Sequence, residues 1–421
     1  MSRIKVQTLK GFRDFLPGDA RKRQYVINIL KGVFESFGFE PLETPALEYE
    51  EILLGKYGAE GDKLMYRFTD NGDRRVALRY DQTVPLARVV AQYQNQLPTP
   101  FKRYQIQPVW RAENTQKGRF REFLQCDIDT VGLDSLNADA EVIACAVKSL
   151  ESLGFKNFKV LINDRENLKF YGQGFELTPD KNVLAVRSVD KLKKIGKEGV
   201  LDDLIKNGFS TEQATFILQK VDSTKPTQNL NIIFQALKDM GIDENKFEFS
   251  PTLARGLDYY TGLIFEIEID GYEAGSVGGG GRYDNLIGMF AGKDIPAVGM
   301  AFGFDRVMEA MESLNLFPKD LTTTKVLVTV FNMELMQKSI EATLRLRSGQ
   351  INCEIYLEAD TKLEKQLKYA DLKGIPYVII IGPDEAKNNQ VTLKNLKNKT
   401  QEVLSLDEAI TNLISQRNLD N

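Results

Sequence analysis

The 421-residue chain contains no histidine. That absence removes Ser-His-Asp and Cys-His nucleophilic catalysis, HExxH zinc sites, two-His-one-carboxylate iron sites and every imidazole acid or base. Any chemistry must run on arginine, carboxylate, hydroxyl and backbone groups. Cysteine is scarce: Cys126, Cys145 and Cys353 lie far apart with no CxxC, which argues for a reducing compartment and against a disulfide framework or a cysteine-rich metal site. No run of roughly eighteen apolar residues exists, so no membrane span is expected. The opening Met1-Ser2-Arg3-Ile4-Lys5 lacks the apolar stretch of a secretion signal, which predicts a cytoplasmic protein. GxxxxGK[ST] is absent, and the glycine run at 278–281 does not fit GxGxxG in a βαβ unit. A nucleotide would therefore need a sheet-based arginine site. The net charge of −4 does not advertise nucleic-acid binding and leaves room only for a local basic surface.

The remainder is ordinary for a globular chain of several domains: 42% apolar and 27% charged residues. Val26, Leu30, Val33 and Phe37 recur at helical spacing after Pro17-Gly18-Asp19, with Ile27 and Phe34 widening the stripe and Gly38 ending it. Residues 65–79 read as a hairpin about Asn71-Gly72, and a helix is expected over 82–94 with Pro85 in its first turn. Segments 101–111 and 120–131 read as strands joined by a polar loop, followed by a helix over 138–153. The stretch 164–245 is lysine-rich, helical in pattern and short of strand signals, and reads as an inserted module. Strands resume near 247 and dominate to 303, with a helix from Phe304. Residues 316–324 read as a linker. Beyond it, apolar strands at 325–331, 353–357 and 376–382 alternate with helices, the pattern of a separate α/β domain.

Four segments carry chemistry-bearing residues. In Phe123–Val131 strand alternation puts Leu124, Cys126 and Ile128 on one face and Gln125, Asp127 and Asp129 on the other, which reads as a sheet with one wet face. Val109, Arg111 and Glu113 alternate likewise. A hairpin would bring Arg111 beside the Gln125/Asp129 face, giving fixed cations beside fixed carboxylates, or only a weak cross-strand ion pair. Tyr259 and Tyr260, read as strand residues, point to opposite faces and so cannot share one role. Four consecutive glycines from Gly278 suggest a backbone that approaches something closely. Arg306 falls in the first turn of a helix, where a cation opposes the dipole, which hints at a ligand that uses the guanidinium.

Taken together the segments resemble the class II aminoacyl-tRNA synthetases, and the histidyl-tRNA synthetase family in particular, over nearly the whole chain. Thr8–Pro17 is similar to that family's opening segment. Trp110–Glu113 through Gly118–Phe123 is similar to motif 2, and Gly299–Arg306 to motif 3. Arg255-Gly-Leu-Asp-Tyr-Tyr260 and Gly279-Gly-Gly-Arg-Tyr-Asp284 resemble the histidine-specific motifs. The resemblance implies an α+β fold: an antiparallel class II catalytic sheet flanked by helices, in two parts over 1–163 and 246–315, with a helical insertion at 164–245, a linker at 316–324 and an α/β anticodon-binding domain at 325–421. It implies activation of L-histidine by ATP and Mg²⁺, transfer to tRNA(His), and a homodimer. By position it implies that Arg111 and Arg255 are catalytic and hold the α-phosphate and substrate carboxylate. Glu113, Arg119, Phe123 and Arg306 fall on the ATP side, Arg306 against adenine. Asp81 and Thr83 match the amino-group site, Gln125 and Asp129 further histidine contacts, and Tyr259 and Tyr260 the side-chain pocket. Leu124 stands where a histidine is common, Ala112 where a larger residue is, and Asp129 where a glutamate is frequent. A non-catalytic relative, the regulatory subunit of ATP phosphoribosyltransferase, shares the catalytic fold and is the rival reading; a proline or threonine synthetase of the same subgroup is a second, and a pure RNA-binding module a third.

Overall fold

The computed structural model describes residues 4–56, 58–115, 118–172, 175–254, 259–319 and 321–420. The chain divides into two compact units, Met1–Leu16 with Arg23–Phe317, and Pro17–Lys22 with Pro318–Asn421.

Helix α1, Pro17–Ser36, starts with proline at its first position, where a missing N–H costs nothing. It ends before Gly38, whose φ of 79° suits a residue without Cβ. Val26, Leu30 and Phe34 are its buried residues, while Val33 and Phe37 are half-buried. The first unit is organised by eight strands: β1 Glu40–Pro41, β2 Phe101–Trp110, β3 Glu122–Val131, β4 Phe158–Asp164, β5 Phe247–Phe249, β6 Leu263–Ile269, β7 Gly278–Arg282 and β8 Ala297–Gly303. Their order is β1-β2-β3-β8-β7-β6-β4-β5, antiparallel throughout except for the pairs at the two edges, which are parallel.

One sheet face is apolar along its length. Cys126, Ile128, Val160, Phe265, Val298 and Phe302 pack there with α1 and with α3 (Leu136–Ser152), α4 (Gln228–Asp239) and α5 (Phe304–Ser313). Within 164–245 the helices Pro179–Val189, Leu192–Lys206 and Thr211–Ser223 share a second core with α2 (Thr83–Tyr93), whereas α4 lies on α3 in the first. The second core covers the other sheet face through Phe101, Val131, Leu161, Ile264 and Ala297. Between those residues the face is polar and buried: Arg103, Gln105, Gln125, Asp127 and Asp129 are each at most 8% exposed. The expected wet face is thus a dry one, because α2 and the segments leading into it lie over it.

The hairpin at 65–79 forms, with Phe68 opposite Val76, and a third strand, Leu47–Tyr49, joins it. Its turn differs from the Asn-Gly expectation. Asp70 Oδ1 accepts from Gly72 N and Arg74 N, and the positive φ falls on Asp73 at 57°. A side chain that captures the turn's amides moves the left-handed residue one place along.

The second unit has its own five-stranded sheet, in the order Cys353–Ile355, Val326–Val328, Tyr377–Ile380, Val391–Asn395, Thr400–Leu404, parallel among the first three and antiparallel beyond. Among the described residues, no helix of either unit is long and apolar enough to cross a membrane.

Candidate active site

The polar floor is set by strand register. β2 and β3 pair Arg103 with Asp129, Gln105 with Asp127 and Gln107 with Gln125. The cation paired directly with Asp129 is therefore Arg103, while Arg111 shares the cleft with Gln125 and Asp129 as the sequence suggested. Arg111 lies just past the end of β2, its N–H donating to Arg121 O. Arg103 is fully buried, with Nη2 2.6 Å from Asp129 Oδ2 and 3.9 Å from Asp127 Oδ2. The 2.6 Å contact is charge pairing without aligned hydrogen-bond geometry, since neither atom makes a directed hydrogen bond.

Tyr283, just past β7, donates its hydroxyl to Asp129 Oδ1. Gly299 on β8 sits opposite Asp129, and a Cβ there would overlap Asp129 Oδ1. Burial pushes the Asp127 carboxyl well above the carboxylate range and raises that of Asp129, while Arg103 pulls both down. Burial and the Asp129 charge push the Tyr283 hydroxyl up, so it stays a donor.

This floor opens into a cleft of about 510 Å³. Every described residue implied by the motif resemblance lines it. Asp81 is buried just before α2, its Oδ1 accepting from Val84 N at 3.1 Å, and Thr83 begins that helix. Arg111 donates Nε to Tyr80 O at 3.1 Å, and its guanidinium lies 4.4 Å from the Tyr80 ring centre and 5.2 Å from that of Phe123. Those contacts hold it in orientation on the cleft wall. Glu113 and Arg119 pair loosely at 3.7 Å on the same wall. Arg306 donates Nη1 to Ser276 O at 2.6 Å from the first turn of α5. Gln125 and Asp129 carry buried acceptor oxygens, Oε1 and Oδ2, that make no hydrogen bond within the protein. Arg255 lies outside the described residues.

Tyr259 and Tyr260 do not follow the strand expectation. They occupy the turn before β6, with ring centres 4.8 Å apart, and both line the cleft. Off the pleat, adjacent side chains are free to share a side. The glycine run is neither loop nor turn but the strand β7 between β6 and β8. A Cβ at Gly280 would overlap Gly299 O, and one at Gly281 would overlap Leu263 O, so what the bare backbone approaches is its neighbouring strands.

Arg103 was not singled out from sequence, and Asp127, Tyr283 and Gly299 entered only as members of a strand face or a motif, without a role. The signal for the first was present: residues 103, 105 and 107 share strand parity with Arg111. No pattern in the sequence alone indicates that Gly299 faces Asp129.

The arrangement offers guanidinium groups for phosphate and carboxylate, carboxylates for an ammonium and an N–H donor, and aromatic walls. Residues 11–307 match the family model described as histidyl-tRNA synthetase, and residues 325–416 the one described as anticodon binding domain. A histidine–tRNA ligase of Cytophaga hutchinsonii is 39% identical over 96% of this chain and 98% of its own length. One from Wolinella succinogenes is 40% identical over 94% of each chain. The crystal structure of histidyl-tRNA synthetase from a Nostoc species superimposes with a TM-score of 0.85 at 31% identity, over 97% of this chain and all of the other.

Proposed function

This chain belongs to the histidyl-tRNA synthetase family, and we propose that its cleft joins L-histidine to ATP, giving histidyl-adenylate and pyrophosphate, before the histidine passes to the 3′ end of tRNA(His). The observation that carries this reading is the single cleft in which Arg111 and Arg306 share walls with Asp81, Gln125 and Asp129. A sheet floor of that composition suits a ligand that is anionic at its phosphates and zwitterionic at its amino acid.

The first step explains how an enzyme without histidine manages. Its nucleophile is the substrate's own carboxylate, ionised at neutral pH, so no protein base is required. The barrier falls through in-line positioning and through cations on the α-phosphate. Arg111 takes that role, pre-oriented by Tyr80, with Arg255 as its partner. Arg306 lies against the adenine, and Glu113, Arg119 and Phe123 hold the remainder of ATP. Asp81 and Thr83 take the substrate ammonium.

Neutral imidazole presents one N–H and one lone pair. Asp129 accepts from the first, beside Gln125. Because the Tyr283 hydroxyl is committed to Asp129, the donor to the second falls to Tyr259 or Tyr260. The Mg²⁺ of the reaction enters with the nucleotide, on its phosphates. The homodimer, the cytoplasmic setting and the division into catalytic parts 1–163 and 246–315, insertion 164–245, linker 316–324 and anticodon-binding domain 325–421 belong to the same proposal. The family match at 325–416 favours it over the regulatory relative, which generally lacks that domain.

ATP–pyrophosphate exchange with each amino acid in turn tests it. Histidine alone is expected to support exchange; absence of exchange with histidine, or equal exchange with another amino acid, overturns it.

A further inference from the structure

Beneath the cleft lies a charge arrangement that the activation step itself does not use. Arg103 does not line the cleft, yet it is fully buried and 2.6 Å from the carboxylate that does. Its other links go to residues that do not line the cleft. Nη1 donates to Gln105 Oε1 at 3.3 Å, and Gln105 Nε2 donates to Thr44 Oγ1 at 2.8 Å. Asp127, on the same face, competes for the same guanidinium from 3.9 Å. One buried cation thus serves two buried carboxylates, and the nearer one reaches the substrate.

We propose that Arg103 is a positioning residue for histidine selection: it holds Asp129 ionised and aimed into the cleft, so that the pocket accepts a hydrogen bond from an imidazole N–H. This rests on the proposed function above. An ionised carboxylate offers acceptors only, about four lone-pair sites on two oxygens. Tyr283 takes one on Oδ1 and Arg103 neutralises Oδ2, leaving acceptor capacity on each for a ligand. Without Arg103, burial would drive a proton onto Asp129, turning an acceptor into a donor that faces the substrate's N–H. Among the described residues, the groups facing Asp129 are Arg103 from β2, Asp127 from β3, Tyr283 from the segment after β7 and Asp81 from the segment before α2, with Arg111 acting on Asp127. Among the described cations, Arg103 is the near one. Arg111 is turned instead toward Tyr80 O.

The test is ATP–pyrophosphate exchange by the full-length enzyme, titrating histidine and ATP separately from pH 6 to 9. Arg103→Met is expected to raise the KM for histidine on the order of 10²-fold, as loss of one partner of a buried pair does, with the KM for ATP within about 3-fold. The histidine defect should shrink as pH rises and Asp129 regains its charge, a recovery that a merely structural lesion would not show. Arg103→Lys, which keeps the charge and is the gentler change for folding, should raise the histidine KM only about 3–10-fold, again sparing ATP. Parallel losses for histidine and ATP, no change for either, or a pH-independent defect overturn the proposal. If the unsubstituted enzyme shows no histidine-dependent exchange, it is the functional reading that fails instead.

Discussion

The two largest sheets of the molecule treat charge in opposite ways. The five-stranded sheet of the C-terminal unit buries Val326, Leu327, Val328, Val378 and Ile379, and the polar side chains buried in that unit are neutral: Thr329, Ser339, Thr343, Gln366 and Thr392. In the eight-stranded unit Arg79, Asp81, Arg103, Asp127, Asp129, Asp139 and Arg282 are all nearly or fully buried. A buried ion pair seldom adds net stability over an apolar pair of similar volume, so stability does not account for this concentration. The difference teaches where to look. The sheet that takes no part in lining the amino-acid cleft is filled with Val, Leu and Ile. A sheet that must read a charged ligand holds its charges dry and fixed before the ligand arrives.

Substitutions can break that contrast, and the largest effect is expected where a charge touches substrate. Arg111→Ala should cut the kcat/KM of histidine-dependent exchange by roughly 10²–10³, the scale of losing one preorganised donor to developing charge. Exchange within 3-fold of the parent enzyme would remove Arg111 from the chemistry. Gly299→Ala comes next. Its methyl would overlap Asp129 Oδ1, so either Asp129 or β8 must shift. Overpacking of this kind costs about 1–3 kcal/mol, and a thermal melt together with a raised histidine KM reads both consequences. An unchanged melting temperature and KM would mean the two strands do not approach as closely as the register requires.

Asp127→Asn sharpens the comparison through pH. Burial raises the folded-state carboxyl of Asp127 above its unfolded value near 3.9. A carboxyl raised on folding favours the native state at low pH, and that contribution is lost as pH climbs through the unfolded value toward the folded one. Asparagine does not titrate. The variant should therefore gain stability relative to the parent as pH rises from 4 to 8, measured as the difference in urea midpoint. A difference that is flat, or that falls with pH, would show Asp127 to be stably ionised. Thr329→Val, at a buried polar position of the other sheet, is expected to give a pH-independent difference.

The strand pattern and most of the cleft were legible from sequence, because strand parity and motif spacing are local properties. Parity placed Gln125, Asp127 and Asp129 on one face correctly; it could not say that the face is covered, since the covering segments around Asp81 and α2 are distant in sequence. Register is the other missing quantity. Alternation placed Arg111 by the Gln125/Asp129 face, where it shares the cleft, but could not show that ten residues of antiparallel pairing set Arg103 directly opposite Asp129. A shift along a hairpin is invisible to composition, because both strands alternate polar and apolar side chains whichever residues face each other. Tyr259 and Tyr260 show a third limit: the rule for adjacent strand residues is sound, but these residues lie in a turn. At Asp70 the departure is purely local, a side chain outcompeting Gly72 for control of the turn.

The smallest expected effect lies in the apolar sheet, and it is the control on which the contrast depends. Ile379 is fully buried on strand Tyr377–Ile380, paired with Val328 and Leu393 across neighbouring strands. Ile379→Val removes one methylene from that core without touching a polar group, and should cost about 0.5–1.5 kcal/mol. The proposed adenylate-forming cleft is lined only by residues of the first unit, so exchange kinetics should stay within experimental scatter of the parent while the melt of the C-terminal unit shifts down. If Ile379→Val instead changed the histidine KM, the apolar sheet would not be indifferent to the amino acid, and separating a charge-bearing sheet that reads histidine from a neutral sheet that takes no part in that reading would no longer describe this molecule.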